Sequence, residues 1–135
     1  MLAIDHIGIA VRDLDGAIAR WCALLGAPPE SAVRHGVDHA RMDLAMIPVG
    51  DAFVELMSPW DETSTIAKFL DKRGDGIHHI CFDTGSIAFE LKRVSEEGFP
   101  VIDETPRESL GEVIAFLHPK GLNGVLVEFK EKKES

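Results

Sequence analysis

The tripeptide Asp5-His6-Ile7 returns 73 residues later as His78-His79-Ile80, and Val54-Glu55-Leu56 returns at the same offset as Val127-Glu128-Phe129. The residues between keep step. Asp13, Leu14, Ile18 and Trp21 fall on Ser86, Ile87, Leu91 and Val94. The chain is therefore read as two copies of one module, each carrying one imidazole and one carboxylate. Such a duplication points to a four-ligand metal site at a pseudo-twofold axis.

Each copy can be read outward from its histidine. Residues 4–11 form a β-type run in which Ile4, His6 and Gly8 share one face, because side chains alternate along a strand. Asp13 then caps a helix whose apolar residues recur at 14, 18, 21 and 25, with Gly26 at its end and Pro28-Pro29 behind it. Residues 30–40 show no clear period. Strands follow over 42–49 and 52–57, joined tightly at Gly50-Asp51. Phe53, Glu55 and Met57 share a face of the second. A connector carries a short helix over 65–72, capped by Ser64 and stopped by Gly74. The second copy repeats the plan with a strand over 77–83, a helix over 86–98, and strands near 100–103, 112–118 and 124–130. His79 and Cys81 share a face. The charged tail from Lys130 to Ser135 is expected to fray.

This pattern predicts an α+β fold of two tandem βαβββ modules forming a curved mixed sheet with a metal-binding cleft. The modules span about 3–58 and 76–131, with a connector at 59–75, inside a single domain covering 1–135. A strand offers its inward face only at every second residue, so each module can supply one ligand from its first strand and one from its last.

Bulk composition narrows the function. A chain of 135 residues suits one domain and buries roughly two-thirds of its unfolded surface. No apolar stretch approaches the ~20 residues that cross a bilayer, and the N-terminus lacks the basic and apolar segments of a secretory signal. Cys22 and Cys81 read as reduced thiols of a cytoplasmic protein. The net charge of -9 disfavours nucleic-acid binding. A small anionic ligand is still compatible, since a metal and a few lysines reverse the field locally.

Two imidazoles with two carboxylates suit a borderline or hard divalent ion. The plainer alternative has His6 and His79 as ordinary strand histidines, with Glu55 and Glu128 facing solvent. Against it, Glu55 lies between Val54 and Leu56, and Glu128 between Val127 and Phe129. A buried glutamate is rare unless paired or coordinated. His78 and His79 point to opposite faces, and the offset selects His79, leaving His78 as a structural hydrogen-bonder. His118 has no repeat partner, and His35 and His39 read as surface residues. Cys81 either lines the cleft or fills the core as a small thiol. Lys120, with Gly121 and Gly124, marks either a phosphate-holding loop or a solvated turn.

Asp5-His6-Ile7-Gly8-Ile9-Ala10-Val11, Ser64-Thr65-Ile66-Ala67-Lys68-Phe69-Leu70, Ile77-His78-His79-Ile80-Cys81, and Phe116-Leu117-His118-Pro119-Lys120 followed by Gly124-Val125-Leu126-Val127-Glu128 resemble the methylmalonyl-CoA epimerases. These belong to the vicinal-oxygen-chelate superfamily, with glyoxalase I and the extradiol dioxygenases. The resemblance implies metal ligands at His6, His79 and Glu128, with Glu55 where the family has Gln or Glu. It implies Co²⁺ first, with Zn²⁺, Ni²⁺ or Mn²⁺ as alternatives, a homodimer with each site inside one chain, and a CoA thioester substrate. The implied reaction interconverts (R)- and (S)-methylmalonyl-CoA by proton transfer at C2 through a metal-stabilised enolate, with Glu128 as a catalytic group. Lys120 and Lys68 are candidate phosphate contacts. One departure stands out. Some epimerases carry a second glutamate after a Gly-Val pair. Aligning on Gly36-Val37 puts His39 there, and counting back from Glu55 puts Leu44 there. A glyoxalase I-like lactoylglutathione lyase shares the ligand set and is the alternative. An Fe²⁺ dioxygenase fits less well, and a non-catalytic small-molecule binder is the reading without chemistry.

Overall fold

The structure is a computed structural model, and it describes residues 2–132. The chain divides into two compact units, one comprising His6–His78 and the other residues 2–5 together with the chain from His79 onward.

In the first unit, β1 (Ala3–Ala10) leads through α1 (Leu14–Leu25) to β2 (Val33–Val37), β3 (Met42–Val49) and β4 (Ala52–Pro59), and α2 (Thr65–Arg73) follows. The strands lie in the order β2-β3-β4-β1. β1 runs parallel to β4, and the other neighbours are antiparallel. The expected punctuation is in place. Asp13 accepts a hydrogen bond from the Gly16 amide at 3.0 Å, and Gly26 takes a left-handed φ of 70°, a conformation open to glycine because it lacks a Cβ. One sheet face packs Ile9, Ala45, Ile47 and Leu56 against Leu14, Ile18 and Cys22 of α1. The opposite face buries Ala10, Leu44 and Met57 against Ile66 and Leu70 of α2. Both faces are covered at this end, which explains why β4 reads as nearly continuous apolar sequence.

The second unit repeats the plan with β5 (Gly76–Asp83), α3 (Ile87–Glu96), β6 (Arg107–Ser109), β7 (Glu112–Leu117) and β8 (Leu126–Lys132), ordered β5-β8-β7-β6. β5 and β8 are parallel, and β7 is antiparallel to β8 and β6. Ile87, Leu91 and Val94 of α3 pack on Ala115, Leu117, Val127 and Phe129. The Glu131 carboxylate accepts from the Ile87 amide at 2.7 Å, which ties the helix start to β8.

Two expectations are corrected here. The strand placed near 100–103 is only an isolated bridge, Val101 to Leu117, and the second strand of this module in chain order is β6 instead. Pro100 has no N–H to give, and the Asp103 carboxylate accepts from the Phe116 amide at 2.8 Å, a donor that a strand carbonyl would otherwise use. The tail does not fray from Lys130: β8 continues through it. The rest of that expected tail, 133–135, lies outside the described residues.

Candidate metal and active site

In the first unit the parallel register sets His6 beside Phe53 and Gly8 beside Glu55. Period-2 alternation then places His6, Gly8, Phe53 and Glu55 on one sheet face, the one α2 covers further along. His6 Nε2 lies 3.7 Å from Glu55 Oε1, and the two residues are 6% and 8% exposed. In the second unit the register is the same one module later. His79 pairs with Leu126, and Cys81 with Glu128. His79 Nε2 lies 3.3 Å from Glu128 Oε1, at 5% and 8% exposure. The His79 ring meets Phe116 edge-on, with centroids 6.3 Å apart.

Each unit thus buries one imidazole nitrogen against one carboxylate oxygen. Burying a carboxylate carries a large desolvation cost unless a cation or hydrogen-bond donors offset it. The donor set of each pair, one nitrogen and one oxygen, fits a divalent ion of borderline or hard character.

Two partners of this face were not legible as such in the sequence. The Cys81 thiol is wholly buried and hydrogen-bonds to Glu128. Burial first, then the charges of Glu128 and Asp5, pushes it far above the usual thiol range, so it stays protonated. On β8, two residues beyond Glu128, Lys130 Nζ lies 3.0 Å from Asp5 Oδ1 and 2.9 Å from Glu112 Oε2. Its side chain is only 13% exposed. Desolvation, the first influence on this ammonium, lowers its pKa, but the hydrogen bonds to Glu112 and Asp5 outweigh it and leave the pKa raised. Period-2 spacing from Glu128 was the available signal for Lys130.

Lys130→Met should cost about 3 kcal/mol, the low end for breaking a buried pair, because Glu112 keeps partial access to water. Urea unfolding measures it, and an unchanged midpoint would refute the role. The raised pKa also fixes a pH window. The stabilisation is complete below the unfolded lysine's value of about 10.4 and is lost as pH climbs from there through the folded value.

The comparisons with known proteins bear on these pairs. Residues 5–116 match the family model for the Glyoxalase/Bleomycin resistance protein/Dioxygenase superfamily. A relative from Cereibacter sphaeroides named ethylmalonyl-CoA/methylmalonyl-CoA epimerase is 37% identical, across 95% of this chain and 96% of its own. The chain belongs to the methylmalonyl-CoA epimerase family of that superfamily. Among solved structures, a methylmalonyl-CoA epimerase in complex with methylmalonyl-CoA and NH4+ superposes with a TM-score of 0.82 at 33% identity, covering 96% of this chain and 93% of that one. A variant of the Streptomyces coelicolor methylmalonyl-CoA epimerase, in complex with 2-nitronate-propionyl-CoA, superposes at 0.83 with 31% identity, covering 96% and 94%. The family is one of racemase/epimerase enzymes, and the βαβββ repeat is its fold.

The remaining candidates of this epimerase-family chain separate cleanly. His39 does not lie on a strand. β2 ends at Val37, and His39 sits exposed in the 3-10 turn Asp38–Ala40. The Gly36-Val37 alignment fails because that turn interrupts the strand. Leu44 does lie on the face of Glu55, fully buried, and register puts Met42 and Met46 there with it. β3 therefore presents an apolar strip toward that face. His78 packs edge-on against Phe69, with centroids 5.0 Å apart. His118 Nδ1 accepts from the Lys120 amide at 3.0 Å, so it caps its turn. A Cβ on Gly121 would come within 2.6 Å of Pro100 Cδ, which gives that glycine a packing reason. Lys120 and Lys68 are exposed, and no helix among the described residues is long and apolar enough to cross a membrane.

Proposed function

We propose that the 135-residue chain acts as one domain and is a metal-dependent epimerase interconverting (R)- and (S)-methylmalonyl-CoA. His6, Glu55, His79 and Glu128 are the ligand set for one divalent ion, Co²⁺ in first place. The observation that supports this most is the burial of an imidazole against a carboxylate in each unit, in a chain similar over nearly its whole length to named epimerases. The working form is a cytoplasmic homodimer. Cys22 and Cys81, both free and buried, agree with a reducing compartment.

The proton at C2 sits between a thioester and a carboxylate and is hard to remove at neutral pH. A bound divalent cation supplies positive charge for the enolate oxygen that develops. The chain's own residues do the rest. Glu128, on β8, takes or returns the proton at C2. The apolar strip of Met42, Leu44 and Met46 keeps water from the face it shares with Glu55 in the first module. The test is a paired assay of the Co²⁺-loaded protein on methylmalonyl-CoA and on a glutathione hemithioacetal. Racemisation of the first and no turnover of the second is expected, and the reverse result would replace the epimerase reading with a glyoxalase I-like one.

A further inference from the structure

Among the positions where the two copies differ on the ligand-bearing face, one stands directly beside each glutamate. Gly8 and Cys81 are 73 residues apart, and each stands in register with its module's glutamate, Gly8 with Glu55 and Cys81 with Glu128. Gly8 brings no side chain to that place. Cys81 brings a thiol that is wholly buried and bonded to Glu128. The two imidazole–carboxylate distances differ in the same sense, 3.7 Å beside Gly8 and 3.3 Å beside Cys81.

We propose that Cys81 is a positioning residue: its thiol hydrogen, donated to Glu128, holds that carboxylate in one orientation and separates its task from that of Glu55. The inference rests on the reading of Glu128 as ligand and proton-transfer group. A thiol is a weak donor. In a buried site, however, a carboxylate gains from each donor it can keep, since water cannot replace a missing one. The competing role is space-filling, which needs only the sulfur's volume. The two roles part on substitution. Serine restores a donor but not the volume, and alanine restores neither.

The experiment compares Cys81→Ala and Cys81→Ser with the parent chain, reading Co²⁺ affinity by calorimetric titration, the visible spectrum of the Co²⁺-loaded protein, and kcat and KM separately. Cys81→Ala should weaken Co²⁺ binding by about 10-fold and lower kcat by a similar factor with KM little changed, as loss of a residue behind a metal ligand typically does. Cys81→Ser should recover most of both losses. Three results overturn the proposal: both variants behaving like the parent, serine doing no better than alanine, or a thiolate-to-Co²⁺ charge-transfer band in the parent, which would make Cys81 a ligand itself. Glu128→Ala in the same titration keeps the failures distinct. If it leaves Co²⁺ affinity and turnover intact, the reading of Glu128 falls and the proposal falls with it. If it reduces both while the Cys81 variants match the parent, the positioning role alone is lost.

Discussion

Glu128→Ala in the Co²⁺-loaded protein should reduce exchange of the C2 hydrogen with deuterated water by about 10²–10⁴-fold, the contribution a positioned general base commonly makes. The effect should fall on kcat, because the carboxylate's part in proton transfer is played in the transition state and not in holding the CoA moiety. Loss of fold is a poor explanation in advance. The substitution removes a buried charge from a strand whose neighbours Val127 and Phe129 remain in the α3 core, and a departing buried carboxylate takes its own desolvation cost with it. An unchanged circular-dichroism melt would confirm that. Glu128→Gln keeps the shape without the base and should be nearly as slow. Undiminished exchange in either variant would take Glu128 out of the chemistry and move the search to Glu55, a second carboxylate buried beside an imidazole.

The modules were legible because two independent periodicities agreed. The 73-residue offset aligned His6 with His79 and Glu55 with Glu128, and the strand and helix periods around them matched in both copies. Strong punctuation fixed α1, where Asp13 and Gly26 cap and stop the helix as expected. The failures have local causes. The expected strand at 100–103 looked apolar enough, but backbone bonding depends on donors, and a proline and the Asp103 carboxylate divert them. Counting from Gly36-Val37 reaches His39, but counting cannot register a 3-10 turn that leaves the strand. Lys130 belonged on paper to a charged tail. Period-2 spacing from Glu128 gives its face, but its partners lie 125 residues upstream, at Asp5, and 18 upstream, at Glu112. The bond between Cys81 and Glu128 needed the parallel register of β5 and β8, and a sequence does not state register.

The proposed ligand set draws one cation's donors from both modules, and thermal stability decides it. Stripping divalent ions with a chelator and restoring Co²⁺ at about a thousandfold over its dissociation constant should add about 4 kcal/mol to the folded state, provided the ion binds only that state. For a chain of this length that raises Tm by on the order of 10 °C. His6→Ala and His79→Ala each remove one nitrogen donor from a different unit. If the ion is shared, each variant should lose most of the Co²⁺-induced rise, and Glu55→Ala and Glu128→Ala should follow them. The apo forms are informative in the opposite direction. With no ion, each imidazole is the neutral or charged neighbour of a buried carboxylate, so deleting the carboxylate relieves a cost while deleting the imidazole exposes one. The apo glutamate variants should therefore melt no lower than the parent, and the apo histidine variants should melt below it. A Co²⁺ shift abolished by the substitutions of one unit and untouched by those of the other would show separate or single-module binding. The shared-cation reading, and with it the cation-stabilised enolate, would not survive that result.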